Sequence, residues 1–134
     1  MRYMLDTDIC IYVINERPPA VLRAFRAHEA AGLGVSSVTA AELFYGVART
    51  GSQRNLSALR QFLLPLQIAP FDAVAAEVCG SLRAWLAAQG TPIGPYDVQI
   101  AAHAHAIGVT LVTNNMREFS RVPGLHVENW AETP

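Results

Sequence analysis

Acidic and amide side chains stand at four places where a short apolar run gives way to a helical pattern. They are Asp6 with Asp8, then Glu42, then Asp97, and finally Asn115 with Glu118. Converging carboxylates repel one another and favour a bound cation, because a like charge nearby raises a carboxylate pKa. Ligands that are all oxygen select a hard ion, Mg²⁺ or Mn²⁺, over zinc. Such an ion activates water and stabilises charge on a phosphate, so these residues predict hydrolysis of a phosphodiester.

Most of these residues also have a purely structural interpretation when each is taken alone. The structural roles are an N-cap at Asp8, capping boxes at Thr39 with Glu42 and at Asn115 with Glu118, and a first-turn position at Asp97. Asp6 is harder to explain in this way, since it ends a very apolar run where Ser or Asn would cap equally well. The whole set therefore favours the chemical interpretation.

Strands and helices alternate along the sequence. Apolar runs predict strands at 3–5, 32–35, 68–71 and 110–112, with a last strand from Val127, and helical spacing predicts helices over 9–14, 21–30, 39–48, 56–66, 74–90 and 95–108. This order predicts one α/β domain over residues 1–134, with a parallel sheet and helices on both faces. Loops that follow parallel strands gather along one edge, where ligands bind, so we expect the acidic residues to converge there.

Composition limits the partners and the chemistry. The net charge of −1 does not indicate nucleic-acid binding, and all ten basic residues are Arg, which excludes any mechanism that needs a lysine. Half of the residues are hydrophobic, which suggests that a partner or a second copy covers apolar surface. Cys10 and Cys79 form no C-x-x-C and indicate free thiols. Without a signal segment or a bilayer-spanning run, we expect a soluble, cytoplasmic protein.

Two alternative functions remain open. Asp6-Thr7-Asp8-Ile9 also fits the start of an aspartate-nucleophile phosphatase of the haloacid-dehalogenase type, with Asp6 as nucleophile and Asp8 as acid/base partner. Cys10 in place of Thr or Val, the absence of lysine and the short chain argue against it. The other alternative is a catalytically silent binding module. No H-E-x-x-H, G-x-S-x-G or phosphate-loop motif is present.

Longer motifs resemble those of the PIN-domain family. They are Met4-Leu5-Asp6-Thr7-Asp8-Ile9, Val38-Thr39-Ala40-Ala41-Glu42-Leu43, Ile93-Gly94-Pro95-Tyr96-Asp97-x-x-Ile100-Ala101-Ala102, and Leu111-Val112-Thr113-Asn114-Asn115-x-x-Glu118-Phe119 extending to Trp130. Within that family the chain is most similar to the VapC toxins. The resemblance implies a three-layer α/β/α fold, Mg²⁺-dependent endoribonuclease activity on RNA such as tRNA, a VapB-type antitoxin partner and a homodimer.

The resemblance also implies roles for the acidic residues. Asp6, Glu42 and Asp97 match the family's acidic positions, while Asn115 stands where many relatives have Asp. Asp6 and Asp97 would be the main metal ligands, and Glu42 would be a third ligand or orient the attacking water. Asn115 and Glu118 would support a second metal ion or the leaving group, which leaves one or two ions open.

Further residues are expected around this site. Three hydroxyls would support the metal ligands from behind: Thr7, Ser37 and Thr113. Four arginines in or beside predicted loops are candidates to hold RNA phosphates: Arg17, Arg49, Arg54 and Arg117. Three aromatic residues would either stack on bases or pack in the core, and packing is favoured: Tyr12, Phe44 and Tyr45.

Overall fold

The fold is built on a five-stranded parallel sheet. The computed structural model describes residues 1–131, so the last three residues of the predicted 1–134 domain lie outside the described residues. The strands are β1 (Tyr3–Leu5), β2 (Leu33–Ser36), β3 (Gln67–Ala69), β4 (Thr110–Val112) and β5 (Val127–Glu128), in the order β3-β2-β1-β4-β5. All four pairings are parallel, which confirms the predicted sheet.

Helices cover both faces of the sheet. They are α1 (Thr7–Ile14), α2 (Pro19–His28), α3 (Ser37–Thr50), α4 (Gln53–Leu63), α5 (Ala73–Ala88), α6 (Pro95–Ile107) and the short α7 (Met116–Phe119). Helices α1 to α4 share one apolar core with the sheet, and α6 lies in a second core on the opposite face. Helix α5 packs on α6. Within residues 1–131 no helix is long and apolar enough to cross a membrane.

Alternation along the strands explains the two cores. Leu5 and Val112 point into the core beneath α1 to α4, whereas Met4 and Leu111 point into the core beneath α6. Successive side chains of a strand point to opposite faces, so a strand that is buried on both faces must be apolar throughout. This requirement accounts for the uninterrupted apolar runs in the sequence.

Helices α1 and α3 begin earlier than they would if Asp8 and Thr39 were their N-caps. Helix α1 begins at Thr7 because the Asp6 carboxylate accepts the Thr7 N–H at 2.8 Å, so Asp8 is not the N-cap. Helix α3 begins at Ser37, since the Ser36 hydroxyl accepts the Val38 N–H at 3.1 Å. Thr39 is buried within the first turn, and the capping box with Glu42 is therefore wrong. Glu42 is free of any capping role.

The sheet order creates one crevice. Strand β1 lies between β2 and β4, so the chain leaves β1 toward one side of the sheet and returns on the other. Ligands of open parallel sheets bind at such a reversal, beyond the carboxyl ends of the strands. Asp6 follows β1 and Thr113 follows β4 at this place.

Candidate active site

Asp6 is the most enclosed of the predicted metal ligands. It is 5% exposed, and its two carboxylate oxygens accept hydrogen bonds from the Thr7 N–H at 2.8 Å and the Thr113 hydroxyl at 2.7 Å. The backbone N–H of Asp6 donates to the Val112 carbonyl at 2.8 Å, which fixes β1 against β4 at this position. Burial raises the pKa of Asp6, and the two hydrogen bonds oppose that rise. Asp6 is thus a rigid carboxylate in a position that disfavours an unpartnered charge.

Glu42 approaches Asp6 from α3. Its Oε1 accepts a hydrogen bond of 2.9 Å from the hydroxyl of Thr7, the residue that follows Asp6. This bond links two residues that are 35 positions apart in the sequence. The pKa of Glu42 is raised, first by burial and then by the negative charge of Asp6. The predicted convergence of β1 and α3 at the sheet edge therefore occurs.

Asp97 and Glu118 meet on the other side of Asp6. Asp97 lies in the first turn of α6, and its carboxyl group is hydrogen-bonded to that of Glu118. Burial first, then this hydrogen bond and the charges of the neighbouring carboxylates, raise the pKa of Asp97 to about 8. The same contact lowers the pKa of Glu118, whose Oε2 also accepts from the Asn115 amide at 3.0 Å. A single proton shared by the pair accounts for the raised pKa of Asp97 and the lowered pKa of Glu118.

These four carboxylates, Asp6, Glu42, Asp97 and Glu118, form what we call the carboxylate site. The negative charge of Asp6 raises the pKa values of Glu42 and Asp97, and the charge of Glu118 raises the pKa of Asp6. The four groups are therefore close enough to interact electrostatically. The side chains of residues 1–131 do not already stand as a ready-made set of three metal ligands. Instead, carboxyl groups influence one another's pKa in pairs, Asp97 with Glu118 and Asp6 with Asp8.

The donor set fits a hard divalent cation. Its acidic members offer only oxygen, and the neighbouring charges that raise their pKa values are all carboxylates. A proton held between two carboxylates occupies the place that a cation would take, since either relieves the same repulsion. Small side-chain movements that release these protons would expose the oxygens to an ion.

Asp8 lies beside the carboxylate site, although its place in the sequence suggested only a capping or acid/base role. One oxygen accepts the Ile9 N–H at 2.7 Å and the other accepts the Asn114 N–H at 3.1 Å. Burial first, and then the charge of Asp6, raise the pKa of Asp8 to about 6. Asp8 therefore ties α1 to the turn that carries Asn115 and faces Asp6. The Asp-x-Asp spacing after a strand was the available signal.

His103 is a second residue whose position was not predicted. It is buried on α6, two turns after Asp97, and its Nδ1 lies 2.8 Å from the Ser36 hydroxyl. Because Ser36 caps α3, this contact joins the helix of Asp97 to the start of the helix of Glu42. Burial lowers the pKa of His103, so the ring is held neutral. Single-sequence patterns carry no signal for a contact of this range.

Other residues predicted to lie around the site, Ser37 and four arginines, have different positions in the structure. The Ser37 hydroxyl accepts the Phe71 N–H at 3.0 Å and thus anchors the loop after β3. The four arginines are exposed, in the loop after α1, in α3, in α4 and in α7: Arg17, Arg49, Arg54 and Arg117. The arginine whose charge reaches Glu118 is instead Arg121, which donates to the Pro92 carbonyl at 3.1 Å.

Two grooves open on the carboxylate site and share Thr7 and Glu42. The α3–α6 groove has a volume of about 790 Å³ and is lined by Thr7, Ser37, Val38, Ala41, Glu42, Tyr45, Tyr96 and Gln99. The apolar groove has a volume of about 260 Å³ and lies among α1, α3 and α4, where Ile11, Ile14, Leu43, Val47 and Leu59 line it. Both grooves lead from open surface to Glu42.

Comparisons with known proteins agree with this fold. The PIN-domain model matches residues 3–125. The chain is 40% identical to the tRNA(fMet)-specific endonuclease VapC of Salmonella typhimurium over 97% of this chain and 98% of the relative. It is 44% identical to ribonuclease VapC2 of Haemophilus influenzae, again covering 97% and 98% of the two chains.

A solved structure gives the same answer. The VapBC2 complex of Rickettsia felis, bound to a DNA fragment from its promoter, contains a chain that superposes with a TM-score of 0.89 at 42% identity. The match covers 97% of this chain and 99% of that one.

A three-layer α/β/α fold with carboxylates gathered at the edge of a parallel sheet defines the PIN class of nucleases, which use a divalent metal ion. The chain belongs to the PIN-domain family, and its relatives place it among the VapC ribonucleases of that family. The resemblance seen in the sequence motifs is confirmed. The haloacid-dehalogenase alternative is overturned by this membership.

Proposed function

We propose that the chain is a Mg²⁺-dependent endoribonuclease and the toxin of a VapBC-type pair, with the carboxylate site as its catalytic centre. The observation that supports this most strongly is the mutual approach of Asp6, Glu42, Asp97 and Glu118, four carboxylates from distant parts of the chain. Mn²⁺ is expected to substitute for Mg²⁺, since both take oxygen ligands. A bound ion supplies water activation and neutralises charge on the phosphate.

Each residue receives a role from its surroundings. Asp6 and Asp97 hold the ion, because Asp6 is fixed by Thr7 and Thr113 and Asp97 faces it from α6. Glu42, held by the Thr7 hydroxyl at the mouth of both grooves, orients the attacking water or serves as a third ligand. Glu118 and Asn115 act together on the leaving-group side or hold a second ion.

The apolar groove is the proposed seat of the antitoxin. Solved relatives in Rickettsia felis and Salmonella typhimurium are VapBC complexes. The groove's apolar walls suit a helix or extended segment, and its inner end opens on Glu42, where an arginine of the partner would pair with the carboxylate. Such a segment blocks the site. A homodimer, as in the family, would cover further apolar surface.

Cleavage of initiator tRNA in Mg²⁺ tests the function. The relatives from Salmonella typhimurium and Shigella flexneri are named for tRNA(fMet), which makes this RNA the first substrate to examine. We expect the purified chain to cut it at a defined position that end-mapping identifies, and EDTA to stop the reaction. Asp6→Asn and Asp97→Asn should each lower the cleavage rate by at least about a hundredfold, the loss typical of a positioned catalytic group.

The control removes a carboxylate elsewhere. Glu77→Gln changes an exposed residue of α5, outside the carboxylate site, and should cleave like the wild type. Full activity of either Asp variant in Mg²⁺ would refute the assignment of the site. A wild-type chain that binds an antitoxin but cleaves neither tRNA nor total cellular RNA would favour the silent binding module.

A further inference from the structure

The α3–α6 groove has the form of a site for one nucleotide. Its α3 wall is a single helical face, since Val38, Ala41 and Tyr45 follow at intervals of three and four residues. Its α6 wall is Tyr96 and Gln99, three residues apart and on either side of Asp97 in sequence. The remaining lining residues are polar: Thr7, Ser37 and Glu42. The volume of about 790 Å³ lies within the range of small-ligand sites.

Two large aromatic side chains of this groove are exposed. Tyr45 is 65% exposed and Tyr96 is 56% exposed, so the expectation that Tyr45 packs in the core is wrong. Neither residue belongs to either hydrophobic core. Exposed aromatic rings beside the proposed ribonuclease site suit the bases of single-stranded RNA, because unstacked bases stack on such rings. Packing in the core therefore does not account for these residues.

The charges along the groove fit a polynucleotide strand. At its inner end lies the carboxylate site, which would take the phosphate that is cut once a cation is bound. At its outer end Arg49 lies over the Tyr45 ring, 5.6 Å from the centroid, and carries a positive charge toward the next phosphate. Between these ends Gln99 offers an amide that both donates and accepts hydrogen bonds, as base edges require.

We propose that the α3–α6 groove binds the base of one unpaired nucleotide next to the scissile phosphate, with Tyr96 stacking on the base and Gln99 hydrogen-bonding to its edge. The Tyr45–Arg49 pair holds the backbone of the following nucleotide. This inference rests on the proposed ribonuclease function and adds a specificity subsite, in which Tyr96 and Gln99 set a preferred base at this position.

Abasic substrates test the inference directly. Wild-type cleavage is measured on a short single-stranded oligoribonucleotide that contains the mapped cut, and on versions in which each flanking nucleotide in turn lacks its base. We expect one abasic position to lower kcat/KM by about tenfold, as the loss of one stacked base does. Tyr96→Leu should lower kcat/KM by a similar factor on the intact oligonucleotide, with no further loss on that abasic one. Tyr96→Phe keeps the ring and should retain activity.

Gln99→Leu supplies a second, independent variant. It should narrow the differences in kcat/KM among the four bases at the sensitive position. Removal of the base at that position should still lower kcat/KM of this variant. Phe44→Leu is the matched control, since Phe44 is an exposed aromatic residue of α3 that does not line the groove. It should behave like the wild type on every substrate.

The outcomes separate this inference from the proposed function. A wild-type chain that cleaves RNA equally well with and without each flanking base overturns the inference and leaves the function standing. Loss of activity in Tyr96→Leu that is equal on intact and abasic substrates also overturns it, because the residue would then act through folding or self-association. Absence of any cleavage by the wild type removes both.

Discussion

At the scale of single residues, the site is a balance between burial and negative charge. Asp6 has lost most of its contact with water, and its compensation comes from a backbone N–H and the Thr113 hydroxyl. Asp97 meets three other carboxylates and keeps a proton up to about pH 8. A partly buried carboxylate cluster of this kind costs stability, as is common at functional sites.

Thr113 is predicted to position Asp6. Thr113→Val removes the 2.7 Å hydrogen bond and leaves a buried carboxylate oxygen without its partner, which should cost about 1–3 kcal/mol of unfolding free energy. Apparent Mg²⁺ affinity should fall by about 10- to 100-fold, as for other residues that orient metal ligands. Chemical denaturation and metal titration of activity measure the two effects. Thr113→Ser keeps the hydroxyl and should recover most of both; equal metal affinity in Thr113→Val and wild type would contradict the role.

At the scale of elements, three junctions bring the carboxylates together. The turn after β1 supplies Asp6, the start of α6 supplies Asp97, and α7, which follows β4, supplies Glu118 with Asn115 as its N-cap. Helix α3 brings Glu42 in, and the Ser36–His103 hydrogen bond ties its first turn to α6. The relative placement of Glu42 and Asp97 therefore depends on a buried contact outside the carboxylate site.

Ser36→Ala tests that dependence. It removes the N-cap of α3 and the partner of His103, and should cost about 1–2 kcal/mol of stability. The rate constant kcat should also fall, while KM for RNA changes little, because Glu42 shifts relative to Asp97. Ser52→Ala is the matched control, since Ser52 caps α4 through a 3.1 Å bond from the Asn55 N–H. It should lose similar stability and keep its kcat. Equal kcat for both variants would show that the Ser36 contact is merely structural.

Gly34 is predicted to be required for the pairing of β2 and β3. A Cβ at this position would lie 2.5 Å from the Gln67 carbonyl oxygen, so Gly34→Ala must push the strands apart. The expected cost is about 1–3 kcal/mol in thermal or chemical unfolding. Gly80→Ala, in the middle of α5 with open space around its Cα, should instead stabilise the chain by about 0.5–1 kcal/mol. A neutral Gly34→Ala variant would mean that this strand pair is looser than described.

The sequence was sufficient for the order of elements and for the acidic residues that converge. Parallel strands buried on both faces leave apolar runs, and their ends mark where ligands bind, so Asp6, Glu42 and Asp97 were accessible to prediction. The first residues of the helices were harder to predict, because the N-caps stand at the ends of strands. Asp6 directly follows β1, and Ser36 is the last residue of β2. Contacts across the fold, such as Ser36 with His103, depend on packing that no local pattern encodes.

At the scale of the whole molecule, the carboxylate site couples folding stability to pH and metal. Asp97 and Asp8 have pKa values raised to about 8 and about 6, so the metal-free folded chain binds protons more tightly than the unfolded chain. Their contribution to stability is fully present below about pH 4, the ordinary carboxylate range, and is lost as pH rises through 6 and 8. His103, with its lowered pKa, acts in the opposite direction at acid pH.

Comparison with Asp97→Asn isolates the contribution of Asp97. In EDTA, the Tm of the wild type relative to Asp97→Asn should fall between pH 5 and pH 8, because only the wild type has the Asp97 proton to lose, whereas Asp8 titrates in both proteins. Mg²⁺ should raise the wild-type Tm more at pH 8 than at pH 5, since bound metal replaces protons. Thermal melts followed by circular dichroism measure both. A Tm difference that stays constant across this pH range would contradict the shared-proton description.

The claim on which the function depends is that carboxylates from β1 and α6 hold the same hard cation. Anomalous diffraction from crystals grown with Mn²⁺ tests it without reference to activity. We predict a peak within about 2.0–2.4 Å of carboxylate oxygens of both Asp6 and Asp97, in the range of metal–oxygen bonds for such ions. A map with no peak between these residues at saturating Mn²⁺, or a peak at other residues, would contradict the account.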